Sequence, residues 1–201
     1  MEIDRKLNLV LTLDKEVGRE KDPETGEEKK VFKPYAYVHH TPILKAVYDS
    51  HFWILTQAVH KLYSARMTPA IASRVAMGVL MQVAKENGAE KSITEGLLPE
   101  IWRNTMVMMQ TENGYEQIPL HEAERSMPAD DVREVRNYVS FFTAASWFHW
   151  RQEREDGLYP AMIDSGAQIV SSTSTEFLDS LRTSMPLESS GAKDPPSSIA
   201  Y

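Results

Sequence analysis

The sequence predicts a mainly α (α+β) chain: about six helices in a small bundle, an N-terminal two-stranded antiparallel hairpin and a disordered C-terminal tail. Three observations carry this. Leu7, Leu9, Leu11 and Leu13 alternate with Asn8, Val10 and Thr12, the two-residue period of a strand with one buried face. From Thr41 onward apolar residues recur at three- and four-residue steps. From Thr183 to Tyr201 serines and prolines replace large apolar residues.

Taken in order, Ile3 to Leu13 reads as the first strand. Between Asp14 and Lys30, twelve of seventeen residues are charged, with Gly18, Pro23 and Gly26 among them, which predicts a solvated loop. Val31 to His39 alternates again and predicts the partner strand, with Pro34, which donates no ladder bond, pointing to an edge. Thr41-Pro42 carries helix-start chemistry, and Leu44, Val47, Tyr48, His51, Leu55, Ala58, Val59 and Leu62 extend a stripe to about Ala65. Thr68-Pro69 repeats the start signal. Ile71, Val75, Val79, Leu80 and Val83 form the next stripe, and Asn87-Gly88 stops it, so these two helices make an antiparallel hairpin.

Ser92 and Glu95 stand at capping-box spacing and predict a third helix to about Met109. Asn113-Gly114 suggests a two-residue turn, and Pro119 to Ser126 a short helix. Asp130 and Asp131 open the longest helix, which should run to about Glu155 with Val132, Val135, Val139 and Phe142 on one stripe. Phe141, Phe142, Trp147, Phe148 and Trp150 surround it with aromatics and imply central burial. Tyr159 to Ser171 reads as one more helix, and Thr173 to Glu176 begins a final one through Leu181. The expected organisation is one domain over 1–182, with hairpin 1–40 and helices 41–182, and a tail over 183–201.

Charge and composition narrow the function. Twenty-two basic and twenty-nine acidic residues give −7, which argues against a partner recognised through its phosphate backbone. The absence of cysteine removes disulfides, thiolate metal sites and cysteine nucleophiles. Four charges in the first six residues and the lack of a long apolar run predict neither a secretory signal nor a membrane span. The histidines, His39, His40, His51, His60, His121 and His149, lack metal-ligand spacing: His51 and His60 fall on opposite helix faces, and His121-Glu122 lacks a second histidine one turn on. Scattered glycines give neither a P-loop nor a dinucleotide fingerprint, and no serine sits in a nucleophile elbow. No cofactor, metal or catalytic residue is expected. What stands out is soft apolar surface: Met77 and Met81 beside Gly78, one turn apart, with Met106, Met108 and Met109 further on. Methionine adapts its shape to varied apolar partners, so these five are the candidate partner-binding residues.

A leucine-alternating N-terminal strand, the run Val38-His39-His40-Thr41-Pro42-Ile43, the run Phe141-Phe142-Thr143-Ala144-Ala145-Ser146, and the ending built from Ser174-Thr175-Glu176-Phe177, Ser180 to Pro186 and Pro196-Ser197-Ser198-Ile199 resemble the tail assembly chaperones of long-tailed bacteriophages. The resemblance implies a non-catalytic protein of the host cytoplasm that binds the tape-measure protein and keeps it soluble while the tail tube assembles, and that is absent from the finished virion. It also implies the tail tube protein as a further partner, and self-association is a further expectation. Two rivals stand beside it: a structural tail component, and a small enzyme assembled from residues such as His121, Glu122 and His149.

Overall fold

The computed structural model describes residues 8–23, 26–146 and 167–184. In place of the expected helical bundle with a two-stranded hairpin, the chain forms an α+β fold around a five-stranded antiparallel sheet. The strands are β1 (Asn8–Lys21), β2 (Glu28–His40), β3 (Thr105–Thr111), β4 (Gly114–Pro119) and β5 (Ala167–Val170). Their spatial order is β4-β3-β2-β1-β5.

The helices are α1 (Lys45–Ser64), α2 (Pro69–Glu86), α3 (Glu90–Ser92), a π turn (Ile93–Leu97) leading into α4 (Leu98–Arg103), α5 (Leu120–Ala123), α6 (Ala129–Ser146) and α7 (Ser174–Ser184). The α1–α2 hairpin forms where the sequence places it. Thr68 is the α2 N-cap residue, Pro69 occupies the first turn, and Gly88 ends the helix at φ 65.

Register explains the layers. Leu9, Leu11 and Leu13 pair with His40, Val38 and Ala36, and Val38 pairs with Val107, so these side chains share one pleated face. That face packs with Tyr48, Leu55, Leu62, Leu80, Ile101, Val135, Val139 and Phe142 of the helices in one buried cluster. The opposite face carries Val10, Tyr37, His39, Met106 and Met108. It is covered by α7, whose Phe177 ring lies 5.9 Å from Tyr37 and 6.0 Å from His39.

Three expectations fail for identifiable reasons. The charged stretch 14–30 is not a loop: β1 continues to Lys21, and β2 starts at Glu28. Beyond the β5 and β3 pairings the two strands continue as a ribbon of about eight residues per strand, roughly 26 Å long. Opposite charges face each other along it, with Lys30 on Glu16 at 2.7 Å, Arg19 on Glu28 at 3.5 Å, and Lys29 on Asp22. Two register shifts bend it, and at its base the Tyr35 hydroxyl donates to Asp131 Oδ2 at 2.5 Å, tying the ribbon to the first turn of α6.

Second, the third helix ends at Arg103, and Met106 to Met109 belong to β3. Ser92 does not cap it, because the helix already begins at Glu90. A short unbroken apolar run fits a buried strand as well as a helix, and the sheet supplied partners on both sides. Third, within the stretch 159–171 read as a helix, Ala167–Val170 is an edge strand paired with β1. The first strand begins at Asn8, α1 at Lys45 rather than Thr41, and the β3–β4 turn is Glu112-Asn113, with Gly114 opening β4 at φ 110. Residues 147–166 and 185–201, which include the expected last third of the long helix and nearly all of the tail, lie outside the described residues.

Candidate functional site

An apolar hollow rimmed by arginines lies between α2 and α6. In α2 the buried positions are the small Ala72, Ser73 and Ala76 together with Leu80, Val83 and Ala84, whereas the bulkier Ile71 and Val75 of the predicted stripe are 53% and 38% exposed. Small side chains at a helix contact allow a short interaxial distance. A buried amide fixes the crossing: Asn137 of α6 accepts the Met77 backbone N–H on Oδ1 at 3.0 Å and donates from Nδ2 to the Arg133 carbonyl at 3.0 Å.

Above this contact opens a groove of about 470 Å³. Val75, Met77, Gly78, Ala129 and Val132 make its apolar part, and Arg74, Arg133 and Arg136 bring three guanidinium groups to its lining, with Asn137 beside them. A neighbouring hollow of about 370 Å³ shares Arg74, Arg133 and Asn137 and adds Asp130 and Glu134. The larger of these two volumes falls in the range of sites that enclose a small ligand or the anchor side chains of a partner.

The arginines are not equivalent. Arg136 grips Glu124 with two parallel bonds, Nε to Oε1 at 2.8 Å and Nη2 to Oε2 at 2.7 Å, and its guanidinium lies 5.5 Å above the Trp102 ring. Arg133 holds Asp130 through Nη2 at 2.8 Å. Arg74 makes no ion pair among the described residues. Gly78 leaves the groove open, since a Cβ built there would meet nothing within 4 Å.

The five candidate methionines do not form one surface. Met77 lines the groove. Met81 is half-buried against the main core, as is Met109 on the helix-facing side of β3. Met108 is fully buried on the other face of the sheet, and Met106, half-buried, pairs with His39 there. The methionine content was readable in the sequence, but the pleat of β3 distributes Met106, Met108 and Met109 over two faces. Arg74, Arg133, Arg136 and Asn137 were missed as site residues. Their available signal was the spacing of Arg133, Arg136 and Asn137 at three- and four-residue steps on α6.

The titratable groups are structural in their contacts. His40 is wholly buried between β2, β3 and α6, with Nδ1 2.9 Å from Thr105 Oγ1 and Nε2 3.4 Å from Thr143 Oγ1. The Thr105 hydroxyl donates to the Ile101 carbonyl, so it accepts from His40 Nδ1–H. Burial, reinforced by neighbouring His39, lowers the His40 pKa to about 3. His39 is lowered by burial, against the Ser172 carbonyl that it meets at 3.0 Å. His121 and Glu122 are both exposed, 3.7 Å apart, and His149 lies outside the described residues. The His51–Ser92 contact, 3.3 Å from Nε2 to Oγ, ties α1 to α3, and His51 Nδ1 meets the Val47 carbonyl at 2.9 Å.

Among the described residues no group of three or more His, Asp or Glu is placed to hold a metal ion, and no helix is long and apolar enough to cross a membrane. The arrangement between α2 and α6 can bind, through apolar contact and charge-assisted hydrogen bonds. In comparisons with known proteins the chain matches no family model, no curated protein and no solved structure.

Proposed function

We propose that this chain is a tail assembly chaperone of a long-tailed bacteriophage, a non-catalytic protein that takes an apolar helical segment of the tape-measure protein into the groove between α2 and α6. The sequence resemblance supplies the partner, and the open groove with Met77 and Gly78 on its lining is the observation that supports a docking role. Before the tube encloses it, a long helical partner with apolar stripes is exposed to aggregation, and a shallow groove lined by an adaptable methionine accepts many different turns of such a helix. On this reading the protein works in the host cytoplasm, the tube protein is a further partner, and the protein leaves before the virion is complete. The test is co-expression with the tape-measure gene of the same genome. Solubilisation and co-elution of the larger protein are expected; an insoluble tape-measure protein beside a folded, soluble chain overturns the proposal.

One observation favours the structural-component reading. The β-ribbon projects from a five-stranded sheet and exposes Val17 and Phe32, at 53% and 54%, as an arm bridging neighbouring subunits would. Mass spectrometry of purified particles separates the two. Stoichiometric presence favours the structural component, and absence the chaperone.

A further inference from the structure

We infer that the segment received by the α2–α6 groove is an amphipathic helix whose apolar stripe is edged by carboxylates. This inference rests on the docking role proposed above and adds the chemistry of the partner. Its basis is the charge inside the groove. Three guanidinium groups and no carboxylate line the larger hollow, although the chain as a whole carries −7. Arg136 and Arg133 are positioned by Glu124 and Asp130, yet each keeps donor N–H groups beyond those bonds. Arg74 makes no ion pair among the described residues. Asp130 and Glu134 line only the neighbouring hollow and Glu124 compensates Arg136, so the uncompensated positive charge of the groove is that of Arg74.

A helix laid on Val75, Met77 and Val132 removes water from these guanidinium groups, of which Arg133 and Arg136 keep Asp130 and Glu124 as counter-charges and Arg74 has none. A cation desolvated without a counter-charge is costly, and a lysine-edged helix would add repulsion at Arg74. A carboxylate at the edge of the stripe restores the lost hydrogen bonds in charge-assisted form and fixes the register of the docked helix. Gly78 supplies the clearance, with open space where any other residue would place a side chain.

The test uses two labelled synthetic helices of about five turns (~18 residues) with the same leucine stripe. One is edged by glutamate and the other by lysine, and each is titrated with the full chain by fluorescence anisotropy. Long-range attraction to a −7 protein favours the lysine peptide, so a glutamate preference arises only from local cations. The expected result is a preference for the glutamate peptide of about tenfold or more. It should be erased or inverted by Arg74→Glu, and binding of both peptides should be lost in Gly78→Phe, each variant retaining the wild-type circular dichroism. Equal affinities, or a lysine preference, with both peptides still displaced by Gly78→Phe, overturn the acidic-partner inference and leave the docking role standing. If neither peptide binds, or if Gly78→Phe leaves binding unchanged, the groove is not the docking site and both fall together.

Discussion

Lowering the pH from 7 to 5 should destabilise the protein by about 2 kcal/mol through His40 alone. In the folded state the imidazole is fully buried, and its pKa stands at about 3 against an ordinary value of 6.5. The sign follows from proton uptake. Above pH 6.5 neither state binds the proton. Between 6.5 and 3 the unfolded chain binds it and the folded chain does not, so stability falls by about 1.4 kcal/mol per pH unit over that window. At pH 5 the gap from 6.5 is 1.5 units, which gives the figure of about 2 kcal/mol. Because the ring is sealed from water, solvent screening does not reduce it. The assay is urea unfolding of the wild type and His40→Leu at pH 7, 6 and 5, monitored by circular dichroism. Leucine fills similar volume and cannot titrate, and the Thr105 hydroxyl keeps its bond to the Ile101 carbonyl. The difference between the two proteins should therefore change by about 2 kcal/mol in favour of the variant as pH falls from 7 to 5. Parallel pH dependences would show that His40 accepts its proton without unfolding and would refute the argument.

Three further outcomes are expected. Gly78→Ala should stabilise the protein by about 1 kcal/mol, because the position is helical, solvent-facing and open, and thermal unfolding should shift up by about 2–4 °C. Met108→Ala should cost about 2–4 kcal/mol in urea unfolding, as expected for a fully buried side chain, whereas Met77→Ser should change stability by about 1 kcal/mol or less while weakening co-purification with the tape-measure protein. Thr173→Ala should raise hydrogen exchange of the α7 amides about fivefold, since it removes the Thr173 Oγ1 acceptor that the Glu176 N–H meets at 3.3 Å.

Local signals in the sequence translated into structure where the chemistry was local. The alternating leucines of β1 face the core, Thr173 and Glu176 cap α7 reciprocally through Glu176 Oε2 on the Thr173 N–H at 2.8 Å, and Asn87-Gly88 closes α2. Two local start signals, Thr41-Pro42 and Ser92–Glu95, missed the helix starts at Lys45 and Glu90, and the larger failures depended on partners distant in the chain. The density of charge in 14–30 resembles a solvated loop until it is paired across two strands, where the same residues neutralise one another. Met106 to Met109 have no period that separates strand from helix, and β5 is four residues long. The α2 stripe holds at Leu80 and Val83 and misled only at its N-terminal end, where Ile71 and Val75 point outward and Ala72 and Ala76 do the packing. The groove itself is a juxtaposition of α2 with α6 across some sixty residues of chain, as the Met77–Asn137 bond records, and no one-dimensional pattern contains it.

The sheet also limits where a partner can dock. One face packs on the helical layer, and on the other, where α7 sets Phe177 against Tyr37 and His39, Val10 and Met108 are 1% and 0% exposed. Met108 therefore cannot serve a partner without removal of a layer, and on the proposed reading a helix-binding role falls to the outer surface of the helices. There, α2 combines inward-facing alanines with outward Ile71 and Val75, the reverse of what core packing alone would select. Ile71 and Val75 lie one helical turn apart, and Val75 is part of the groove lining, so the apolar strip continues from the groove along α2. A helix stabilised only by its inner contacts gains nothing from branched apolar side chains in water at these positions. On the proposed reading, their presence beside Gly78 and Arg74 is accounted for by a second helix lying on the first.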